Sequence, residues 1–593
     1  MNNTIKERIF NLVDFKFNGE ISFKEFDGVR VEYDGKDAVI GYRTKPQLAR
    51  GYFLLAKEVS KNKGAFSLSQ KPHFDDFGVM LDVSRGGVMT VESIKKYLDY
   101  MAALGFNVCM LYMEDLFELK DFPLFGYMRG RYTTDELRQI DDYAYEMGIE
   151  VIPNIELLGH LGQFLRWEPT TEIRDDTQVL LVGEPKTYEF VEAVVSTLSK
   201  TFRSRRIDIN MDEPDGLGLG RYLTLNGYRE AKDVFNEHLH RVVDICKKYG
   251  YERPITDSDV YFYNPLKEDY ALDTVVPQDV IDSIPDVALV FWDYYHTDIN
   301  FYNENMRKHK AFNKEIIFCG SLWTPQGFVP NFRTTFNMAI PGLKSSIQNN
   351  IKFYFATLWN DGGWETNYMS AICGLPIFSE YCYIGENCTE EEIFDVIGYL
   401  TKADKPLMEA ISDFHLGYDP LTNIGRGIVY CDLLFDTLCI DVDFAKASQT
   451  YKNALSVFEN YKHIEFYGYY KALFGVCALK TEVLARLRSA YKDGDKAYLG
   501  EVANEIIPRL RALYGELYRE FKLHWNNTNK PNALEMYCHR FGGIDFRLEN
   551  VAEIINDYLD GKKDTIAELQ EEVVGGINQK GRFAHEFVTT YRQ

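Results

Sequence analysis

Several common signatures are missing from this 593-residue chain. Basic residues are in deficit: 66 Lys and Arg against 89 Asp and Glu leave a formal charge of −23. So acidic a chain lacks the basic face that a phosphate backbone needs, and it gains nothing from an anionic bilayer. Nucleic acid and membrane are therefore not expected partners. No window approaches the ~18 apolar residues of a transmembrane helix. The opening M-N-N-T-I-K-E-R-I-F-N-L-V-D-F shows no basic stretch followed by an apolar one, so no signal peptide is visible. The ten cysteines form no C-x-x-C. Several, such as Cys109 and Cys319, sit inside apolar runs, where a thiol behaves as a small hydrophobe. They read as reduced and structural, which points to a cytoplasmic location. No G-x-G-x-x-G follows the first strand of the central region, which counts against a dinucleotide fold. His238 and His240 lie two apart on a helical pattern, hence on different faces, so no metal site is expected.

Apolar residues are plentiful, at 46%, with 15% aromatic, enough for large cores and against disorder. The length calls for more than one domain. Residues 1–74 read as a small α+β domain, with V-R-V-E-Y and D-A-V-I-G-Y as strands before a helical A-R-G-Y-F-L-L-A-K-E-V. From Gly78 the rhythm changes. Buried-strand runs alternate with amphipathic helices, two of them closed by glycine: G-V-M-L-D-V, F-N-V-C-M-L-Y-M, I-E-V-I-P-N-I, R-I-D-I-N-M, R-P-I-T-D-S-D, V-A-L-V-F-W, I-I-F-C-G-S-L-W and I-K-F-Y-F-A-T-L-W. Eight such units over about 300 residues predict an α/β fold, a (β/α)8 TIM barrel over 75–390. Beyond it, 391–593 loses the strand signals and reads as an α-helical domain.

In such a barrel the chemistry gathers at the C-terminal strand ends. Strand one ends in D-V-S-R with Arg85, strand two in Y-M-E-D with Glu114 and Asp115, and strand three in E-L-L-G-H with His160. Strand four ends in M-D-E-P with the adjacent acids Asp212 and Glu213. Strand six runs into F-W-D-Y-Y, strand seven into S-L-W, and strand eight into L-W-N-D-G-G-W-E. Four of the six tryptophans, Trp292, Trp323, Trp359 and Trp364, fall at these last ends. Tryptophan also fills barrel cores, but four at one rim point to a wall for sugar rings, whose C–H faces are apolar. Neighbours on a regular strand face opposite ways. For Asp212 and Glu213 to reach one ligand the chain must leave strand geometry, and Pro214 and Gly216 are the expected means. Adjacent carboxylates also raise each other's proton affinity, which suits a general acid.

Taken together these motifs resemble glycoside hydrolase family 20, the β-N-acetylhexosaminidases, over about residues 75–370. The family's Asp-Glu pair at strand four matches Asp212-Glu213. Its strand-one arginine, which holds the sugar's O3 and O4, matches Arg85. Its strand-two aspartate matches Asp115, its strand-three Gly-His matches Gly159-His160, and its Trp-x-acid after strand eight matches Trp359-Asn360-Asp361. The helical C-terminal region resembles that of a bacterial, apparently cytosolic branch. The resemblance implies an exo-acting hydrolase of terminal N-acetylhexosamine residues, on an oligosaccharide or glycoside substrate, with no cofactor and no metal. It implies catalysis without a protein nucleophile. The substrate's 2-acetamido oxygen attacks C1, Asp212 orients the acetamido group and balances its charge, and Glu213 protonates the leaving oxygen, with retention.

This chain departs from the family pattern in four places. Asn-Met precedes the acid pair, the strand-five tryptophan is missing, Trp323 stands where a strand-seven tyrosine is usual, and Asp361 is shorter than the usual glutamate. Tyr294 or Tyr295 is the candidate to replace the missing donor to the acetamido carbonyl, and Glu365 to compensate for Asp361. Trp292, Tyr294, Trp323, Trp359, Asp361, Trp364 and Glu365 thus join Arg85, Asp115 and His160 as expected substrate contacts. Two other readings stand beside this one: a two-carboxylate retaining β-glycosidase, and a carbohydrate-binding barrel without turnover. The helical region is expected to serve as a homodimer interface or as a wall of the pocket, with Trp525 in H-W-N-N-T-N-K-P-N-A-L-E as the place to look.

Overall fold

Thr90 and Thr133 begin two helices in the manner their neighbours dictate. Each side chain accepts the backbone N–H three residues on, from Ser93 and Glu136, and Glu136 returns the bond to complete a capping box. The helices, Val91–Leu104 and Thr134–Met147, both stop at a glycine in the left-handed region, Gly105 at φ 82° and Gly148 at φ 80°. Each delivers the chain to the next strand of a parallel sheet. The computed structural model describes residues 2–61, 64–263, 270–417, 424–435, 439 and 441–572.

The N-terminal part is a four-stranded sheet. Its strands are β1 (Ile21–Glu25), β2 (Val29–Tyr33), β3 (Ala38–Tyr42) and β4 (Phe66–Gln70), in the order β1-β3-β2-β4. β1 runs parallel to β3, and β2 antiparallel to β3 and β4. The helix Lys45–Ser60 covers this sheet and buries Arg50 completely, where it meets Glu380 at 2.9 Å and the Leu104 carbonyl at 3.0 Å. The expected pair of strands and helix are present, with one strand added on each side.

The central sheet contains β5 (Asp76–Asp82), β6 (Val108–Tyr112), β7 (Glu150–Asn154), β8 (Ile255–Asp257), β9 (Ala288–Trp292), β10 (Ile316–Ser321) and β11 (Phe353–Leu358). All are parallel, in the order β7-β6-β5-β11-β10-β9-β8. Seven regular strands leave a gap between β7 and β8, and the expected fourth strand fills it. Asp208 bridges to Asn154 on one side and to Ile255 on the other. Its N–H donates to the Pro153 carbonyl and its own carbonyl accepts from Ile155, both at 3.0 Å, while Ile209 and Ile207 exchange bonds with Ile255 at 2.9 Å. The barrel therefore closes, but the I-D-I-N-M run is a strand only briefly. It ends early because the chain enters the left-handed region at Asn210 (φ 46°) and Met211 (φ 74°).

Beyond β11 the described chain is helical. The long helix Tyr467–Lys492 packs against Phe444–Phe458 and Ile507–Thr528, and Ile507–Thr528 against Leu534–Leu559. Segment 528–532 joins the barrel mouth: Asn529 bridges to Met89, Thr90 N–H donates to the Thr528 carbonyl at 2.9 Å, and Lys530 N–H to the Val88 carbonyl at 2.7 Å. Among the described residues no helix is long and apolar enough to cross a membrane.

Candidate active site

Three residues of the Asn210–Glu213 stretch have positive φ: Asn210, Met211 and Glu213 (φ 41°). None is glycine, so each costs about 1 kcal/mol or more in backbone strain. Fixed partners hold the distortion. Asn210 N–H donates to Asp208 Oδ1 at 3.0 Å and its side-chain amide to the Ile155 carbonyl at 3.2 Å. Its carbonyl accepts from Thr256 Oγ1 at 2.6 Å, and Glu213 N–H donates to Asp259 Oδ2 at 3.0 Å. This twist, rather than Pro214 or Gly216, turns both acids to one side. The consequence is direct: His160 Nε2 lies 3.5 Å from Asp212 Oδ2 and 3.6 Å from Glu213 Oε2. His160 is itself left-handed, at φ 50°.

The two acids sit in different surroundings. The Asp212 side chain is 15% exposed and that of Glu213 51% exposed, so one is walled in and the other opens to the mouth. Beneath Asp212 lies Glu156, a buried side chain. Glu156 Oε2 and Asp212 Oδ1 are both buried without a conventional hydrogen-bond partner, and one side-chain N or O from each of Glu156, His160 and Asp212 lies within 4.8 Å of the others. Two carboxyls this close and out of water share one proton. Glu156 takes it. Burial, reinforced by Asp212, pushes its carboxyl well above the usual range. Asp212 goes the other way: burial opposes its charge, but His160 and the Glu156 hydrogen bond hold it below its ordinary value. Burial likewise opposes the His160 imidazolium, yet Asp212, and after it Glu213, pull it up to about 9. Deeper still, burial and then Asp212 raise Asp257 well above normal, and burial raises Asp208 to about 8, with Asp212 adding to it. The floor thus concentrates its negative charge on Asp212.

The triad Glu156, His160 and Asp212 is the one grouping close enough to hold a metal ion among the described residues. A protonated carboxyl and an imidazolium make poor ligands, so the set fits a proton-sharing network better than a cation.

Arg85 forms the opposite side of the mouth. It pairs with Asp361, lies 3.4 Å from Glu114 Oε1, and donates to Tyr112 OH at 3.4 Å. Its guanidinium rests 4.8 Å from the Trp359 ring centroid. Tyr112 OH also donates to Glu156 Oε1 at 2.9 Å, linking the Arg85 side to the Asp212 side. Between them is a narrow hollow, with about 20 Å³ of free volume, lined by Asp212, Asp257, Trp292, Tyr294 and Trp359, among others. Trp292 and Tyr294 stack at 5.7 Å, and Trp323 packs edge-on to Tyr294 at 6.4 Å and to Tyr295 at 5.9 Å. The indole nitrogens of Trp292 and Trp359 are buried without a partner. Burial keeps the Tyr294 hydroxyl protonated, and Tyr294 shares the lining of the hollow with Asp212.

Three expected contacts sit elsewhere. Asp115 turns away to Arg129, which it pairs, and to the Gly126 N–H at 3.3 Å; its neighbour Glu114, left-handed at φ 36°, faces Arg85 instead. Trp364 is 1% exposed and packs edge-on against Trp525 at 5.6 Å. Glu365 is 3% exposed, between Arg426 Nε at 2.6 Å and Arg540 Nη1 at 3.0 Å. Gly362 (φ 92°) and Gly363 (φ 112°) explain the split: the chain turns there, so Trp359 and Asp361 enter the mouth and Trp364 and Glu365 leave it. Conversely, Glu156 and Tyr112 belong to the site and went unnoticed in the sequence. Glu156 stands two residues past β7 and four before His160, which was the available signal. His238 is a core residue, with Nε2 2.8 Å from the Leu157 carbonyl and burial lowering it to about 4.

The catalytic-domain model of glycosyl hydrolase family 20 matches residues 77–267, and the Glycoside Hydrolase 20C C-terminal domain model matches 421–588, together more than half of the chain. A beta-hexosaminidase of Vibrio furnissii is 27% identical over 220 residues, 30% of this chain and 36% of that protein. The beta subunit of beta-hexosaminidase from Mus musculus is 29% identical over 164 residues, 25% of this chain and 30% of its own. The chain thus spans about a third of the length of these curated relatives. Among solved structures, an exo beta-N-acetylglucosaminidase from Vibrio harveyi in complex with N-acetylglucosamine has a TM-score of 0.51 at 16% identity, covering 69% of this chain and 72% of that one, which is a likeness of fold. With two separate regions matching two models of one family, and a closed barrel carrying Asp-Glu at its fourth strand, the chain belongs to glycoside hydrolase family 20.

Proposed function

We propose that this protein is an exo-acting β-N-acetylhexosaminidase that removes terminal non-reducing N-acetylhexosamine residues with retention, using the substrate's own acetamido group as nucleophile. The observation that carries this reading is the asymmetry of the acid pair. Asp212 is walled in and held anionic between His160 and Glu156, as a partner to a developing oxazolinium cation must be. Glu213 is half-exposed at the mouth, where a leaving group departs and a water arrives. Arg85 and Asp361 together offer a donor and an acceptor for ring hydroxyls, with Trp359 and Trp292 as apolar walls. Tyr294 is the donor for the acetamido carbonyl, supported by its place beside Asp212 in the lining of the hollow.

A two-carboxylate mechanism needs a free nucleophile on strand seven or eight. The strand-eight acid at the mouth, Asp361, is already neutralised by Arg85. A paired assay decides. Hydrolysis of an aryl N-acetyl-β-glucosaminide with little cleavage of the aryl β-glucoside supports substrate assistance; the reverse preference overturns it, and binding without turnover of either indicates a lectin-like barrel.

The division into 1–74, 75–390 and 391–593 remains part of this proposal, as does a cytoplasmic location, supported by nine buried cysteines of ten. Leu523 and Phe546, 51% and 75% exposed on the C-terminal helices, support a homodimer through that region, readable from the mass in solution.

A further inference from the structure

The loop after β11 is gripped from outside the barrel. Arg426 Nη2 donates to the Gly362 carbonyl at 2.6 Å and Arg540 Nη1 to the same carbonyl at 3.2 Å. Tyr537 OH donates to the Gly363 carbonyl, and Tyr430 OH to Glu365 Oε1. All four gripping side chains come from the C-terminal helical region, 60 to 180 residues along the chain. The fit leaves no spare room. A Cβ on Gly362 would fall 2.3 Å from Arg426 Nη2, and one on Gly363 2.7 Å from Met536 Cε. The inner side of the loop is equally tight: a Cβ on Gly86 would lie 3.0 Å from the Gly363 carbonyl oxygen, and one on Gly87 2.4 Å from the Trp364 ring. So Gly362–Trp364 is pressed between the C-terminal helices and the chain that follows Arg85. Asp361, one residue before the gripped carbonyls, is the partner of Arg85.

Stability alone does not call for this arrangement. Glu365, Arg426 and Arg540 are nearly or fully buried, and Arg540 Nε and Nη2 have no hydrogen-bond partner. Buried ion clusters of this kind are often matched or bettered by apolar residues of equal volume; what they supply is a fixed geometry. The two carbonyls they fix are those adjoining the sugar-binding carboxylate.

We infer that the C-terminal helices act as a clamp on the β11 loop, and that Arg540, Arg426 and Tyr537 are positioning residues that set Asp361 against Arg85 for ring-hydroxyl recognition. They touch no reacting atom. The acid pair lies on the other side of the mouth, held by its own contacts to β7 and β8 and to Asp259. The clamp therefore governs ground-state binding of the sugar and leaves the acid–base step alone. The substrate part of this inference rests on the function proposed above; the mechanical part does not.

The test uses the full chain with Tyr537→Phe, which removes the hydroxyl that holds the Gly363 carbonyl and meets Arg540, and Arg540→Met, with Arg540→Lys as the conservative rescue. For an aryl N-acetyl-β-glucosaminide, KM is expected to rise about tenfold or more, the size of one or two lost hydrogen bonds, with kcat within about threefold of wild type. Arg540→Lys should recover part of the KM. Amide hydrogen exchange over 359–367 should quicken at least tenfold in Tyr537→Phe, with exchange over 208–214 unchanged. A fall in kcat or in active fraction at constant KM would make the cluster merely structural and overturn the positioning role. Unchanged exchange over 359–367 overturns the clamp whatever the substrate. If wild type cleaves no N-acetylhexosaminide, the function reading fails alone, and the exchange result still decides the clamp.

Discussion

Asp361 and Glu365 are carboxylates four residues apart on one loop, each paired with arginine, and they lead opposite lives. Asp361 is 38% exposed on its side chain and meets Arg85 at the rim. Glu365 is 2% exposed on its side chain and meets two arginines from a different region. The difference is set by Gly362 and Gly363, which reverse the chain between them. An ion pair that a ligand can enter must keep one open side; an ion pair that holds a loop must have none. The same contrast divides the whole mouth, where strained, half-open residues face its open side and sealed ones hold them there.

The comparison breaks most sharply at the open side. Glu213→Gln should lower turnover by about 10²–10⁴, the usual reach of a general acid, with unfolding within about 0.5 kcal/mol of wild type because the side chain is half-exposed. Wild-type-like turnover would remove Glu213 from the acid role. The sealed side should show the reverse pattern. Glu365→Ala leaves two buried arginines without their anion and should cost about 3–5 kcal/mol in urea unfolding. A midpoint equal to wild type would mean the cluster is not sealed in solution.

Two smaller effects sharpen the picture of the floor. His160 is raised from 6.5 to about 9, chiefly against burial and by Asp212. A group raised on folding contributes its full stability below its unfolded value and loses it as pH climbs through the folded one. The His160–Asp212 contribution should therefore be complete below about 6.5 and fade towards 9, with an alkaline limb of kcat/KM near 9 that His160→Asn abolishes. An unchanged limb in that variant would assign it to another group. The smallest effect belongs to Glu156. Since it acts as a neutral donor to Asp212, Glu156→Gln keeps a donor and should stay within about tenfold of wild-type kcat, whereas Glu156→Ala should fall further. Equal losses in both would mean that Glu156 works as an anion.

Much of this was legible from residues close together in the chain. Runs such as G-V-M-L-D-V and V-A-L-V-F-W, with glycine-stopped helices between, specify parallel strands locally, and Asp212-Glu213 at a strand end carries its own message. Three things were not. The positive φ of Asn210 and Met211 has no glycine to announce it; it is imposed by partners on β7 and β8. Which side of the β11 loop receives Trp364 and Glu365 depends on Trp525, Arg426 and Arg540, far along the chain. Asp115 was expected at the sugar, yet its strand-end position could not reveal Arg129, which claims it. Spacing reports which end of the barrel a residue occupies; only distant packing decides which way it faces.

Asp212 must serve an acetamido nucleophile if substrate assistance holds, and one series tests that most directly. Aryl β-glucosaminides bearing N-acetyl, N-fluoroacetyl, N-difluoroacetyl and N-trifluoroacetyl groups differ mainly in the nucleophilicity of the carbonyl oxygen. If that oxygen attacks C1, kcat/KM should fall steeply and monotonically with each fluorine, and Asp212→Asn should lower the rate on the N-acetyl compound most. A flat series, with Asp212→Asn equally slow on every member, would contradict substrate assistance and leave the acid pair with a different task.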